Sequence, residues 1–148
     1  WAATNNVFAK QKIIINSKLK FSEKLQYIGG SDQLFFLNLN NKGAKIIWND
    51  KSKVYEQSNS RRENFNWFIK RNIRYGTSSA VIYREIYGIF NGFFLCISKS
   101  IYEFLKFLLY LFIIFFDFKL NFLKSIQFFI RSLSTFAGIF GFRYQEYK

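Results

Sequence analysis

From Ile86 to Phe118 the chain carries only four charged residues, Lys99, Glu103, Lys106 and Asp117. Gly92, Lys99, Glu103, Lys106, Tyr110 and Asp117 step by 7, 4, 3, 4 and 7, which on a helix makes one narrow stripe. Phe, Leu and Ile fill nearly every other direction. A helix apolar almost all round belongs either at the centre of a large protein or against lipid. With 148 residues and 21 Phe, so much aromatic surface is hard to bury internally, which favours lipid.

The charge-free stretches between Glu85 and Lys99 and between Lys106 and Asp117 hold thirteen and ten residues. A clean membrane span needs ~20. With lysines snorkelling a transmembrane helix is possible, and so is a kinked or interfacial hairpin. Ile126 to Phe142 repeats this character with Arg131 and two glycines. Residues 85–148 therefore read as a hydrophobic, amphipathic, membrane-associated helical region.

Absences exclude chemistry. Without histidine, Ser-His-Asp triads and His-based zinc sites cannot form within this chain. The single cysteine, Cys96, sits in an apolar run and reads as a buried thiol. No methionine is present and the chain opens on Trp1, so we expect a piece of a longer protein. The net charge of +13 suits nucleic acid or an anionic membrane surface. Aromatics lie in lipid-like runs rather than interleaved with Lys and Arg, so membrane lipids are the expected partner and nucleic acid is not.

Residues 1–84 differ. Ile13-Ile14-Ile15 and the alternation of Leu19 and Phe21 with Lys18 and Lys20 predict strands. Gly29-Gly30 predicts a turn, and Ser31 or Asp32 caps a helix to about Lys42, with Gly43 as its stop. Ala44 to Trp48 and Val54-Tyr55 predict two more strands. Ser60 and Glu63 form a capping-box pair opening a helix to about Tyr75. The expected class is α/β.

Four stretches in order carry a resemblance. They are Thr4-Asn5-Asn6; FSEKLQYIGGSDQLFF from Phe21 to Phe36; KGAKIIWNDKSKVYE from Lys42 to Glu56; and RRENFNWFIKRNIRYG from Arg61 to Gly76. Together they resemble the distal half of the family 2 bacterial glycosyltransferases, whose corresponding segments read GGEDxDFFxRL, AGYKIVWxPEAVVYH and RLTLRWLLRRxFRxG. The tail from Gly141 to Tyr147 looks like that of envelope-polysaccharide members. The resemblance implies a GT-A, Rossmann-like domain over 1–84, of which this chain holds the C-terminal, acceptor-side part. It also implies inverting transfer of a sugar from a nucleotide-sugar donor to a glycan or lipid-linked acceptor, at the cytoplasmic face of a bacterial inner membrane. A divalent metal, Mg or Mn, would be held mainly by a DxD motif in the donor-binding half, and no DxD occurs here.

On this resemblance Asp32 matches the base that accepts the acceptor's proton. Asn5, Asn6, Gly29, Gly30, Ser31, Trp67 and Arg71 fall at substrate-binding positions. Ser31 stands where most members have Glu. Glu56 falls where many place a metal-binding His; it is a weak metal candidate beside the reading of a surface Glu. Glu63, Asn66 and Trp67 take the QxxRW spacing of processive synthases with Trp alone retained, which points to adding one sugar. Trp67 either stacks on a sugar or packs internally. The competing expectation is a non-catalytic, membrane-anchored interaction module.

Overall fold

A computed structural model describes residues 4–55, 57, 62 and 64–145. Glu56, Ser60 and Glu63, and with them the metal candidate and the capping box, lie outside the described residues. In chain order come a 3-10 turn Thr4–Asn6, helix α1 (Gln11–Ser17), a 3-10 turn Glu23–Leu25, α2 (Ser31–Asn41), α3 (Phe65–Phe112), a 3-10 turn Ile113–Phe115 and α4 (Phe118–Ile139). No strand occurs among the described residues. The expected α/β, Rossmann-like GT-A architecture is therefore corrected to an all-helical one.

The reason lies in pairing. A strand is stable only when a neighbouring strand takes up its N–H and C=O groups. Ile13, Ile14 and Ile15 fall inside α1, so their β-branched preference is overridden locally. Residues 44–48 run without a ladder, and Ile47 and Trp48 are 84% and 85% exposed.

Helix α2 follows the sequence pattern closely. Leu34, Phe35, Phe36 and Leu39 are its buried residues, and they divide between two clusters. Gly43, at φ 90°, ends it in a left-handed turn. Leu34 joins Leu25 and Ile28 against Val81 and Ile82 of α3. Leu25 and Ile82 are 0% and 1% exposed, and burying each such side chain contributes ~1.5–3 kcal/mol. Phe35, Phe36 and Leu39 form a second cluster with Leu19 and Ala44.

The bundle begins at Asn64, whose side chain accepts from the Trp67 backbone N–H at 2.8 Å. Helix α3 continues well past Tyr75 and through the expected boundary at residues 84–85, to a corner at Gly88 with φ 79° and ψ 177°. There the chain doubles back: a Cβ on Gly92 would fall 2.9 Å from the Arg84 Cα. The limbs 65–87 and 89–112 are thus antiparallel neighbours. Asp117 caps α4 by accepting from the Leu120 N–H at 3.1 Å. Helix α4 then returns along both limbs, with Asn72, Gly76 and Ala80 meeting Arg131, Ser134 and Gly138.

No described helix is long and apolar enough to cross a membrane, which corrects the expected transmembrane helix. Lys99, Glu103 and Lys106 interrupt the second limb of α3, and Lys119, Lys124 and Arg131 interrupt α4. Even so, the three-helix unit is inverted in polarity. Gly92, Cys96, Ser100 and Glu103 are buried, as are Asn121, Ser125, Ser132, Ser134 and Thr135. Many of the large apolar side chains face outward, while Phe107, Tyr110 and Phe128 pack between α3 and α4.

Candidate functional site

Two glycines shape the first site. Gly29 and Gly30 have φ of 72° and 88°, a region open to glycine and costly for other residues. Gly29 donates its N–H to the Leu25 carbonyl at 3.0 Å, closing the turn. Gly30 is the N-cap of α2, the role expected of Ser31 or Asp32. Ser31 is the first helical residue and Asp32 lies in the first turn, both half-buried.

The Asp32 Oδ1 accepts from the Gln33 backbone N–H at 2.8 Å. A carboxylate there is favoured by the unpaired N–H groups and dipole of the helix start. No ion pair joins Asp32 to another described residue. Phe35 and Phe36, one turn on, line an apolar hollow of about 570 Å³ with Thr4, Val7, Leu19 and Lys20.

The turn packs on α3. A Cβ at Gly29 would meet Arg74 Nη1 at 2.9 Å, and one at Gly30 would meet the Ile82 Cδ1 at 3.1 Å. Two stretches that carry the resemblance, the GGSD turn and the Arg61–Gly76 segment, are therefore neighbours in space. Gly29, Gly30, Ser31 and Asp32 come together at one helix end. Asn5 and Asn6 lie in the 3-10 turn Thr4–Asn6, and Asn6 Nδ2 donates to the Ser52 carbonyl at 3.0 Å. The Arg71 guanidinium lies 5.3 Å from the Trp67 ring and 5.1 Å from Tyr75, and its Nε donates to the Tyr75 hydroxyl at 3.1 Å. Trp67 is thus half-buried beneath a cation.

A second polar centre lies inside the bundle. Lys99 Nζ donates to Ser79 Oγ at 2.8 Å and stands 3.8 Å from Glu103 Oε1. Arg131 Nε donates to Asn72 Oδ1 at 2.7 Å, and its guanidinium sits 5.0 Å from the Tyr75 ring. Burial pushes the Glu103 carboxyl up, against the pull of Lys99 and Arg131. Burial likewise lowers the Lys99 ammonium, against the attraction of Glu103. The Thr135 hydroxyl is close enough to favour ionised Glu103, yet neither its Oγ1 nor Glu103 Oε2 reaches hydrogen-bonding geometry.

The 92–99–103–106–110 stripe was the sequence signal for this centre. Its partners across the bundle, Ser79, Asn72 and Thr135, had none, since each is a small polar residue in an otherwise ordinary stretch. Arg74 against Gly29 was equally unmarked. No group of His, Cys, Asp or Glu suited to a metal occurs among the described residues. No known protein family, curated protein or solved structure matches the chain.

Proposed function

We propose that this chain supplies the acceptor side of a glycosyltransferase, with Asp32 as the base for an incoming hydroxyl. The observation that carries the reading is the placement of Asp32: first turn of α2, behind two left-handed glycines, without an ion pair among the described residues. The reading stands on the site and on the four ordered stretches, since a fold by itself carries no function.

The chemistry is an in-line displacement. The acceptor oxygen attacks the anomeric carbon, its proton passes to the Asp32 carboxylate, and the bond to the nucleoside diphosphate breaks with inversion. Gly29 and Gly30 let the turn that carries Asp32 pack closely against Arg74 and Ile82 of α3. A nucleotide-sugar and the Mg or Mn ion on its phosphates need a donor-binding half with paired acids, which this chain lacks. Glycan or lipid-linked hydroxyls at the cytoplasmic face of a bacterial inner membrane are the acceptors this reading expects.

The test uses a protein that joins this chain to a donor-binding half. Asp32→Asn there should abolish sugar transfer while far-UV circular dichroism stays unchanged; retained turnover removes Asp32 from the reaction. The 148 residues alone should transfer no sugar, and measured transfer by them would overturn the need for a donor half.

A second reading, a non-catalytic interaction module, draws on Ile47, Trp48 and Tyr55, which are 84%, 85% and 92% exposed. It expects Asp32→Asn to leave every measured property unchanged.

A further inference from the structure

Burial is distributed oppositely on the two sides of the bundle. The first limb of α3 is covered by Leu25, Ile28 and Leu34 through Val81 and Ile82. The second limb and α4 have no such cover among the described residues. Their outward faces present Phe90, Phe94, Leu105 and Leu109 on one helix and Leu133 and Phe136 on the other, all exposed. The turn joining them adds Phe112, Phe115 and Phe116 at 80%, 93% and 87% exposure.

Such a surface is far beyond the scattered apolar residues of an ordinary monomer. It also wraps round two helices and the turn between them, so no single flat partner could cover it. A fluid apolar medium can. The interior agrees: Lys99, Glu103 and Arg131 turn inward onto Ser79, Asn72 and one another, leaving the outer faces of 89–98 and 132–142 without charge. In water the reverse arrangement would be favoured.

The cations at the margin identify the lipid. Lys106 lies 4.4 Å from the Tyr102 ring and 5.1 Å from Phe128, and Lys124 lies 5.1 Å from Tyr110. Lys119 is exposed beside the Phe115–Phe118 turn. Amphipathic rings holding ammonium groups at the edge of an apolar face suit the headgroup level of a membrane. Residues 86–148 carry 7 Lys and Arg against 3 Asp and Glu, so the headgroups that suit them are anionic.

We propose that the second limb of α3 and α4 form an interfacial hairpin seated in the surface layer of an anionic phospholipid bilayer. The layer holding α2 and the GGSD turn sits on the opposite side, facing water. This inference rests on the bundle alone and is independent of the role given to Asp32.

The test takes the 148-residue chain with Cys96→Ser and a single polarity-sensitive dye, on Phe115→Cys or on Asn40→Cys in α2. Circular dichroism first establishes that each variant keeps its helices. Mixed with vesicles of zwitterionic and anionic phospholipid in equal parts, the dye at 115 should shift to the blue and the dye at 40 should not. Lys119→Gln with Lys124→Gln should weaken partitioning onto these vesicles about thirtyfold, with zwitterionic vesicles unaffected. Failure to bind anionic vesicles overturns the proposal. So does an equal shift of both dyes, or a dimer in solution that already shields position 115 without lipid.

Discussion

Ser100 and Ser132 bond to each other's backbone: Ser100 Oγ donates to the Ser132 carbonyl at 3.0 Å, and Ser132 Oγ to the Ser100 carbonyl at 2.9 Å. Both residues are buried, at 8% and 4% exposure, so the pair replaces water between α4 and the second limb of α3. Each hydrogen bond is worth ~1 kcal/mol net. Ser100→Ala and Ser132→Ala should each lower stability by about that amount. The double variant should cost less than the sum, because the two hydroxyls lie 3.2 Å apart and share one environment. Urea midpoints of the four proteins decide it, and strict additivity would show that the two bonds act independently.

Gly76 tests how closely the first limb of α3 approaches α4. An added Cβ would run into the Ser134 side chain and lie 2.8 Å from the Thr135 N and 2.9 Å from the Arg131 carbonyl oxygen. Two of those neighbours are backbone and cannot turn aside. Gly76→Ala should destabilise by ~1–3 kcal/mol, despite alanine's better helix propensity. An unchanged urea midpoint would mean that the helices stand further apart.

How much of this could be read from the sequence depended on how local the signal was. The extent of α2 and its stop at Gly43 came from signals within a dozen residues, as did the alignment of Lys99, Glu103 and Lys106 in one stripe. The strands expected at 13–15 and 44–48 failed because pairing is non-local, and a β-branched run does not say whether a neighbour exists. The corner at Gly88 was hidden for a related reason. One glycine in an apolar run looks like any other until Arg84 and Gly92 are seen back to back. Asp32 at a helix start was legible from GGSD alone, but the packing of Gly29 against Arg74 was not.

Gly88 itself offers a cleaner measurement. Its φ of 79° with ψ of 177° is essentially a glycine-only conformation, and no atom lies within 4 Å of where a Cβ would stand. Any cost of Gly88→Ala is therefore conformational rather than steric, ~1–3 kcal/mol. Serine should cost about the same as alanine, since nothing is there to clash with the larger group. If alanine is tolerated freely in thermal unfolding, the two limbs do not meet at this backbone geometry.

The Glu103 carboxyl makes stability depend on pH in a direction that can be worked out. Burial raises it from the ordinary value of 4.5, outweighing Lys99, Arg131, the Thr135 hydroxyl and Lys106. The folded chain therefore holds this proton more tightly than the unfolded chain, and protonation favours folding. That contribution is complete below the ordinary carboxylate value and is lost as pH rises through the raised folded one. Lys99 works in a different window: its ammonium is lowered from 10.5, so its penalty fades only as pH climbs from the folded value towards that figure. Glu103→Gln imitates the protonated carboxyl and removes the first dependence while leaving the second. Variant and wild type should have equal urea midpoints near pH 4, with the variant more stable at about pH 8. A variant that is weaker at about pH 8 would show instead that the attraction of Lys99 and Arg131 exceeds the desolvation of the carboxylate.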